Sequence, residues 1–211
     1  MNTNFLKLSI FALAISLFSC TKDDDPSPTP ANNQPVAALE VKTASNIFAP
    51  QGGGGPNPAT GAFVKFSFSE NAIVTSDNWD IALRGTTILV NGGAPIGIAD
   101  EPTRTGMGGI AIVNGIFSDV NSIPTTFTQD AASTYAIPTG SNNGWYSYNS
   151  ATNIINPIAG KVFIVKTYNG KFAKFEILSY YKDAPANPDA TSLSRYYKIK
   201  FVYQPNSTTT F

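Results

Sequence analysis

The chain has 211 residues, 14 basic and 14 acidic, with 42% hydrophobic and 13% charged side chains. This neutral balance argues against nucleic acid as a partner, because phosphate binding needs clustered Lys and Arg. Histidine is absent and cysteine occurs once. That removes Ser-His-Asp and Cys-His triads, histidine zinc sites, the commonest general acid-base residue and any internal disulfide.

In chain order, Lys7 precedes an apolar run at residues 8–18 (LSIFALAISLF), closed by Ser19-Cys20. The run is too short to span a bilayer and reads as a secretory signal. Leu17-Phe18-Ser19-Cys20 resembles a bacterial lipobox, which implies cleavage before Cys20 and acylation of its thiol. Residues 1–19 are thus expected to be a lipoprotein signal peptide, and their loss leaves Met107 as the one methionine. Thr21-Lys22-Asp23-Asp24-Asp25 is a solvated charge run. It also looks like the export motif of Bacteroidetes surface lipoproteins. Residues 26–35 (PSPTPANNQP) form a Pro-rich tether. The expected division is therefore 1–19 signal, 20–35 anchor and disordered tether, 36–211 folded domain.

Within that domain no amphipathic helix stands out, and 17 Gly with 15 Pro imply many turns. Residues 51–61 (QGGGGPNPATG) read as a loop, without the Lys-Ser/Thr that a phosphate-cradling loop needs. Strands are expected at 62–69 (AFVKFSFS), 78–84 (NWDIALR), 86–90 (TTILV) and 110–113. Asn91-Gly92-Gly93 turns the chain, and 96–109 reads as a flexible polar loop holding Arg104 and Met107. Residues 117–135 read as loop, with room for one helical turn. Residues 144–148 (GWYSY) form an aromatic segment, which Asn156-Pro157 separates from the final strands.

The end of the chain carries the clearest signal. Residues 161–168 (KVFIVKTY) and 171–181 (KFAKFEILSYY) flank Asn169-Gly170, which predicts a hairpin with a type I′ turn. In 195–204 (RYYKIKFVYQ), Tyr197, Ile199, Phe201 and Tyr203 share one face, and Lys198 and Lys200 the other. About eight short strands without alternating helices predict a single all-β, antiparallel domain.

Several of these blocks together resemble the HmuY family of haem-binding lipoproteins from Bacteroidetes. They are Trp79-Asp80-Ile81-Ala82-Leu83-Arg84, Asn91-Gly92-Gly93, Gly144-Trp145-Tyr146-Ser147-Tyr148, residues 161–181, and Arg195-Tyr196-Tyr197 leading to Tyr203-Gln204. The resemblance covers roughly residues 40–204. It implies a sheet body with protruding loops that grip haem. It also implies a haemophore role on the cell exterior: capture of haem or a related tetrapyrrole and delivery to a TonB-dependent outer-membrane receptor.

A haem site needs an apolar slot, donors for the propionates and an axial ligand on iron. Family members use His pairs, or Met; this chain has no His. Met107, in Gly106-Met107-Gly108-Gly109, is then the candidate axial ligand through its soft thioether. Tyr146 and Tyr148 can coordinate iron as phenolate or stack on the porphyrin with Trp145; equally, these aromatics can be core residues. Arg104 suits a propionate, or can be simply solvated. Asp100-Glu101 point apart on the backbone and no calcium spacing occurs, so the chain reads as a binding module and not an enzyme. The alternative on the same fold is a cofactor-free interaction or glycan-binding lipoprotein, stacking sugars on Trp145, Tyr146 and Tyr148 beside Asn142 and Asn143.

Overall fold

A computed structural model describes residues 39–55 and 57–211. The signal sequence, Cys20, the acidic run and the tether lie outside the described residues. Thirteen strands form among them, and no helix. They are β1 (Val41–Phe48), β2 (Gly52–Gly54), β3 (Asn57–Thr60), β4 (Val64–Ser67), β5 (Ala72–Val74), β6 (Ile81–Arg84), β7 (Thr87–Val90), β8 (Gly109–Asn114), β9 (Tyr146–Asn149), β10 (Ile154–Pro157), β11 (Lys161–Lys166), β12 (Phe172–Tyr181) and β13 (Ser194–Gln204). The fold is all-β, as the sequence predicts.

A five-stranded sheet runs β1-β13-β12-β11-β8 and a four-stranded sheet runs β5-β4-β6-β7. All their pairings are antiparallel. Period-two patterning decides which side chains meet between them. Phe163, Val165, Phe175, Tyr197, Ile199 and Phe201 of the large sheet pack with Phe66, Phe68, Ile81, Leu83, Ile88 and Val90 in one cluster. Phe201 contacts Phe66 edge-on at 6.0 Å and Phe68 at 5.3 Å between ring centroids. Each such side chain contributes about 1.5–3 kcal/mol on burial, so this shared core is the main tie between the sheets.

The large sheet is also covered outside. Val162, Ile164 and Val202 pack under Phe117 and Val120. Lys174 lies on that same face and is 3% exposed. Its ammonium donates to the carbonyls of Phe117 (3.1 Å) and Val120 (2.7 Å) and lies over the Phe117 and Phe211 rings. Lys174 thus fixes residues 117–121, and a single helical turn forms there, with the N–H groups of Asp119 (2.9 Å) and Val120 (3.3 Å) donating to Ile116 O.

The closing hairpin forms, but its turn differs from the expected type. Gly170 has φ 79° and Asn169 stays at negative φ. Gly170 N–H donates to Thr167 O and Thr167 N–H to Lys171 O. This is a type I turn followed by a left-handed Gly bulge, a connection that also suits the right-handed strand twist. Four elements are unanticipated, the short β5 beside β4 among them. Strand β1 adds an edge to the large sheet, with a register shift between Ala44 and Ile47. The Gly-rich 51–61 stretch folds back as the β2–β3 hairpin. Asn156-Pro157 lies inside β10, paired with Ser147 and Tyr146 of β9, rather than separating elements. A two-stranded ribbon has only edges, where proline is tolerated.

Candidate functional site

The segment between β7 and β8 begins with Asn91, which is fully buried. Its side-chain amide donates to Asp77 O (2.9 Å) and Trp79 O (2.8 Å). Its side-chain oxygen accepts the N–H groups of Thr105 (2.9 Å) and Gly106 (3.0 Å), and its backbone oxygen accepts Gly108 N–H (2.7 Å). One asparagine thereby pins both ends of the Met107 segment to the small sheet. The glycines around it serve close approach. A Cβ on Gly106 would lie 2.7 Å from Tyr168 Cα, and one on Gly108 2.6 Å from Asn91 O. The segment is therefore held and not flexible, contrary to its Gly content. Met107 stands out from it, 53% exposed. Its N–H donates to Tyr168 O at 2.9 Å, and its side chain lies over the β11–β12 turn, beside Gly170.

Arg104 is placed differently from a propionate ligand. Its side chain is 2% exposed, and the guanidinium forms ion pairs with Glu101 (2.7 Å) and Asp130 (3.0 Å). Asp130 also accepts the N–H groups of Val90 and Ala136. Glu101 accepts three successive N–H groups, from Ile96, Gly97 and Ile98. Burial opposes ionisation of Glu101, but those donors and Arg104 outweigh it and hold the carboxyl at about 2. This cluster organises the loop before Met107. An Arg so engaged has no free fork for a propionate.

The three aromatic candidates belong to another region. Trp145 is 2% exposed. Its ring packs on Tyr146, Tyr180 and Tyr197 with centroids 4.9–5.4 Å apart, and its indole N–H donates to Thr86 O at 2.8 Å. No ring face is left for porphyrin or sugar. Tyr146 is half-buried against the main core. Tyr148 is exposed, its hydroxyl donating to Asn153 at 2.5 Å.

This region does not meet Met107. Met107 borders the turn that precedes Phe172, at the start of β12. The hairpin carrying Tyr146 and Tyr148 is tied to the other end of β12, where Ile155 N–H donates to the Tyr181 hydroxyl. The two are thus tied to opposite ends of β12, a ten-residue strand about 30 Å long.

The contacts of Met107 escape sequence reasoning: Tyr168 O accepts its N–H, Gly170 lies beside its methyl group and the Gln129 amide reaches its carbonyl. Other groups line the same end of the large sheet. Tyr168 and Tyr203 are half-buried at this end, and Tyr203 is raised above its usual range by burial and by nearby Asp80. Phe127 and Phe172 stack at 5.8 Å. Lys166 and Lys171 flank the same turn, and Lys171 donates to Ser207 at 3.0 Å. Asn169-Gly170 marks this turn in the sequence; nothing there joins it to a loop about sixty residues earlier. Among the described residues, no group of three or more Cys, Asp or Glu is placed to hold a metal ion.

Comparison with known proteins gives one family and a group of distant structures. The family model described as HmuY protein matches residues 59–201. A crystal structure of a candidate HmuY-like heme-binding protein from Bacteroides vulgatus shares 11% identity at a TM-score of 0.44, over 80% of this chain and 93% of that one. A candidate lipoprotein from Bacteroides fragilis shares 13% identity at a TM-score of 0.40, over 68% and 85%. No curated protein matches.

Proposed function

This chain belongs to the HmuY family, and on that premise we propose that it is a haem-binding protein of the cell surface and not an enzyme. Family membership is the observation that carries the reading. The rest of the proposal concerns how this chain's residues would serve it. Met107 would hold the haem iron: a half-exposed thioether on a segment fixed by Asn91 and Tyr168 is presented at little ordering cost. A bound haem supplies the iron, and a soft sulfur donor favours its reduced form. Tyr168, whose carbonyl accepts Met107 N–H, gives the site an apolar wall. Lys166 and Lys171 replace Arg104 as the propionate partners. Cys20 carries the lipid, residues 20–35 tether the 36–211 domain, and the cargo passes to an outer-membrane receptor.

Haemin titration of the purified protein, oxidised and reduced, tests this. A shifted Soret band at micromolar haemin is expected, and its absence rejects the reading. A second reading rests on the opposite end. Tyr148 is exposed beside Asn142 and Asn143 on the β9–β10 side. That pattern suits a sugar-stacking site. Binding on a glycan array, lost in Tyr148→Ala and without any Soret change, would favour it.

A further inference from the structure

Asp80 lies just before β6 and is 1% exposed. Its two carboxylate oxygens reach different parts of the fold. One accepts Phe68 N–H at 2.8 Å, at the end of β4. The other accepts Tyr168 N–H at 3.1 Å, in the β11–β12 turn. Its backbone joins the same region: Asp80 N–H donates to Phe66 O, and Asp80 O accepts Asn91 N–H. The peptide groups continue the chain, because Tyr168 O accepts Met107 N–H. Asp80 thus stands one residue behind the Met107 contact, without touching Met107. The groups facing it are the Ser67 hydroxyl on β4, Glu70 in the following turn, Tyr168, and Tyr203 on β13. None of the ion pairs among the described residues includes it.

We propose that Asp80 is a proton-operated positioning residue: as a carboxylate it holds the Tyr168 turn and through it the Met107 segment, and on taking up a proton it loosens both and weakens ligand binding at Met107. The proposal rests on the Met107 reading above. Its physical basis is that hydrogen bonds to an ionised acceptor are roughly twice as strong as neutral ones. Burial pushes the Asp80 carboxyl up to about 6, with Glu70 adding to the rise against the lowering effect of its donors. Protonation therefore falls within mildly acidic conditions.

The sign of the stability effect separates this role from a merely structural one. The folded value lies above the ordinary 3.8. The Asp80 contribution to global stability is thus full below the ordinary value and lost as pH rises through about 6. Ionisation costs the fold desolvation while tightening the Tyr168 turn. On raising pH through about 6, the global and local effects run in opposite directions.

The test combines haemin titration at about pH 7 and about pH 5 with amide-exchange protection at Tyr168 and Met107. In the wild type, haemin affinity should fall about fivefold on acidification, and both protection factors should fall with it. Asp80→Asn should bind weakly at both pH values, without the acid loss. Glu70→Gln, an exposed change, should move the midpoint to lower pH. A parallel acid loss in wild type and Asp80→Asn, or an unmoved midpoint in Glu70→Gln, overturns the proposal. If Asp80→Asn does not fold, the Glu70→Gln midpoint decides. If wild type binds no haemin at either pH, the haem reading alone fails. Protection at Tyr168 that does not rise on ionisation then rejects the role of Asp80.

Discussion

The two ends of this sandwich use the same kinds of residues for opposite purposes. At the Trp145 end, large aromatics face inward: Trp145, Tyr180 and Tyr197 form one packed group, and the Tyr197 hydroxyl donates to Gly85 O at 2.8 Å. At the Met107 end, the buried groups are polar. Asn91, Asp80 and the Arg104 cluster hold backbone, and the apolar side chain of Met107 is turned outward. Packing aromatics inward stabilises a fold without leaving anything to bind. Fixing a loop by hydrogen bonds lets it display a side chain at little entropic cost. An aromatic-rich motif is therefore a poor guide to the binding end of this molecule.

Substitutions at each end should separate the two roles. Trp145→Ala is expected to have the largest effect on stability, about 3–5 kcal/mol, because it leaves a cavity in the core. Denaturant unfolding measures it, and amide exchange at Met107 should remain as in wild type. Asn91→Ala comes next, at about 2–4 kcal/mol, since two carbonyls and two N–H groups lose buried partners. Its exchange signature should be the reverse: faster exchange at 105–108 and none near Trp145. Equal loss of protection at both ends in either variant would break the comparison.

Glu101→Gln should be milder, about 1–3 kcal/mol at neutral pH. The wild-type carboxyl is held at about 2, below its ordinary 4.5. Its stabilising effect is therefore full above about 4.5 and disappears as pH falls through about 2. Unfolding curves of the two proteins should converge over that window. A gap that persists at about pH 2 would show that the Glu101 charge is not what holds the loop.

The strands were legible where one face is buried and the other wet. Alternation at 195–204 marks β13 because the core lies on one side and Lys198 and Lys200 on the other. Strand β1 gives no such pattern: it is an edge, thinly covered, and its bulge near Asn46 interrupts the period. The site was legible only in part. Met107 stands out by composition, but the glycines around it suggest mobility. What they permit is close approach to Asn91 and Tyr168, and those contacts are long-range. Arg104 likewise gives no sign of its partner Asp130, which is 26 residues away. Trp145 carries a polar handle and a large face, and sequence does not say which way that face turns.

Met107→Leu should change stability least and function most. The side chain is half-exposed, so replacing sulfur by carbon at similar volume costs under about 0.5 kcal/mol. Chemically the change is decisive, because Leu has no lone pair for iron. The reduced haemin complex should lose its Met-type spectrum while the unfolding midpoint stays put. An unchanged reduced spectrum would remove Met107 as the ligand. A spectrum altered instead by Tyr148→Phe would place the ligand at the far end of β12 and invert the assignment of the two ends.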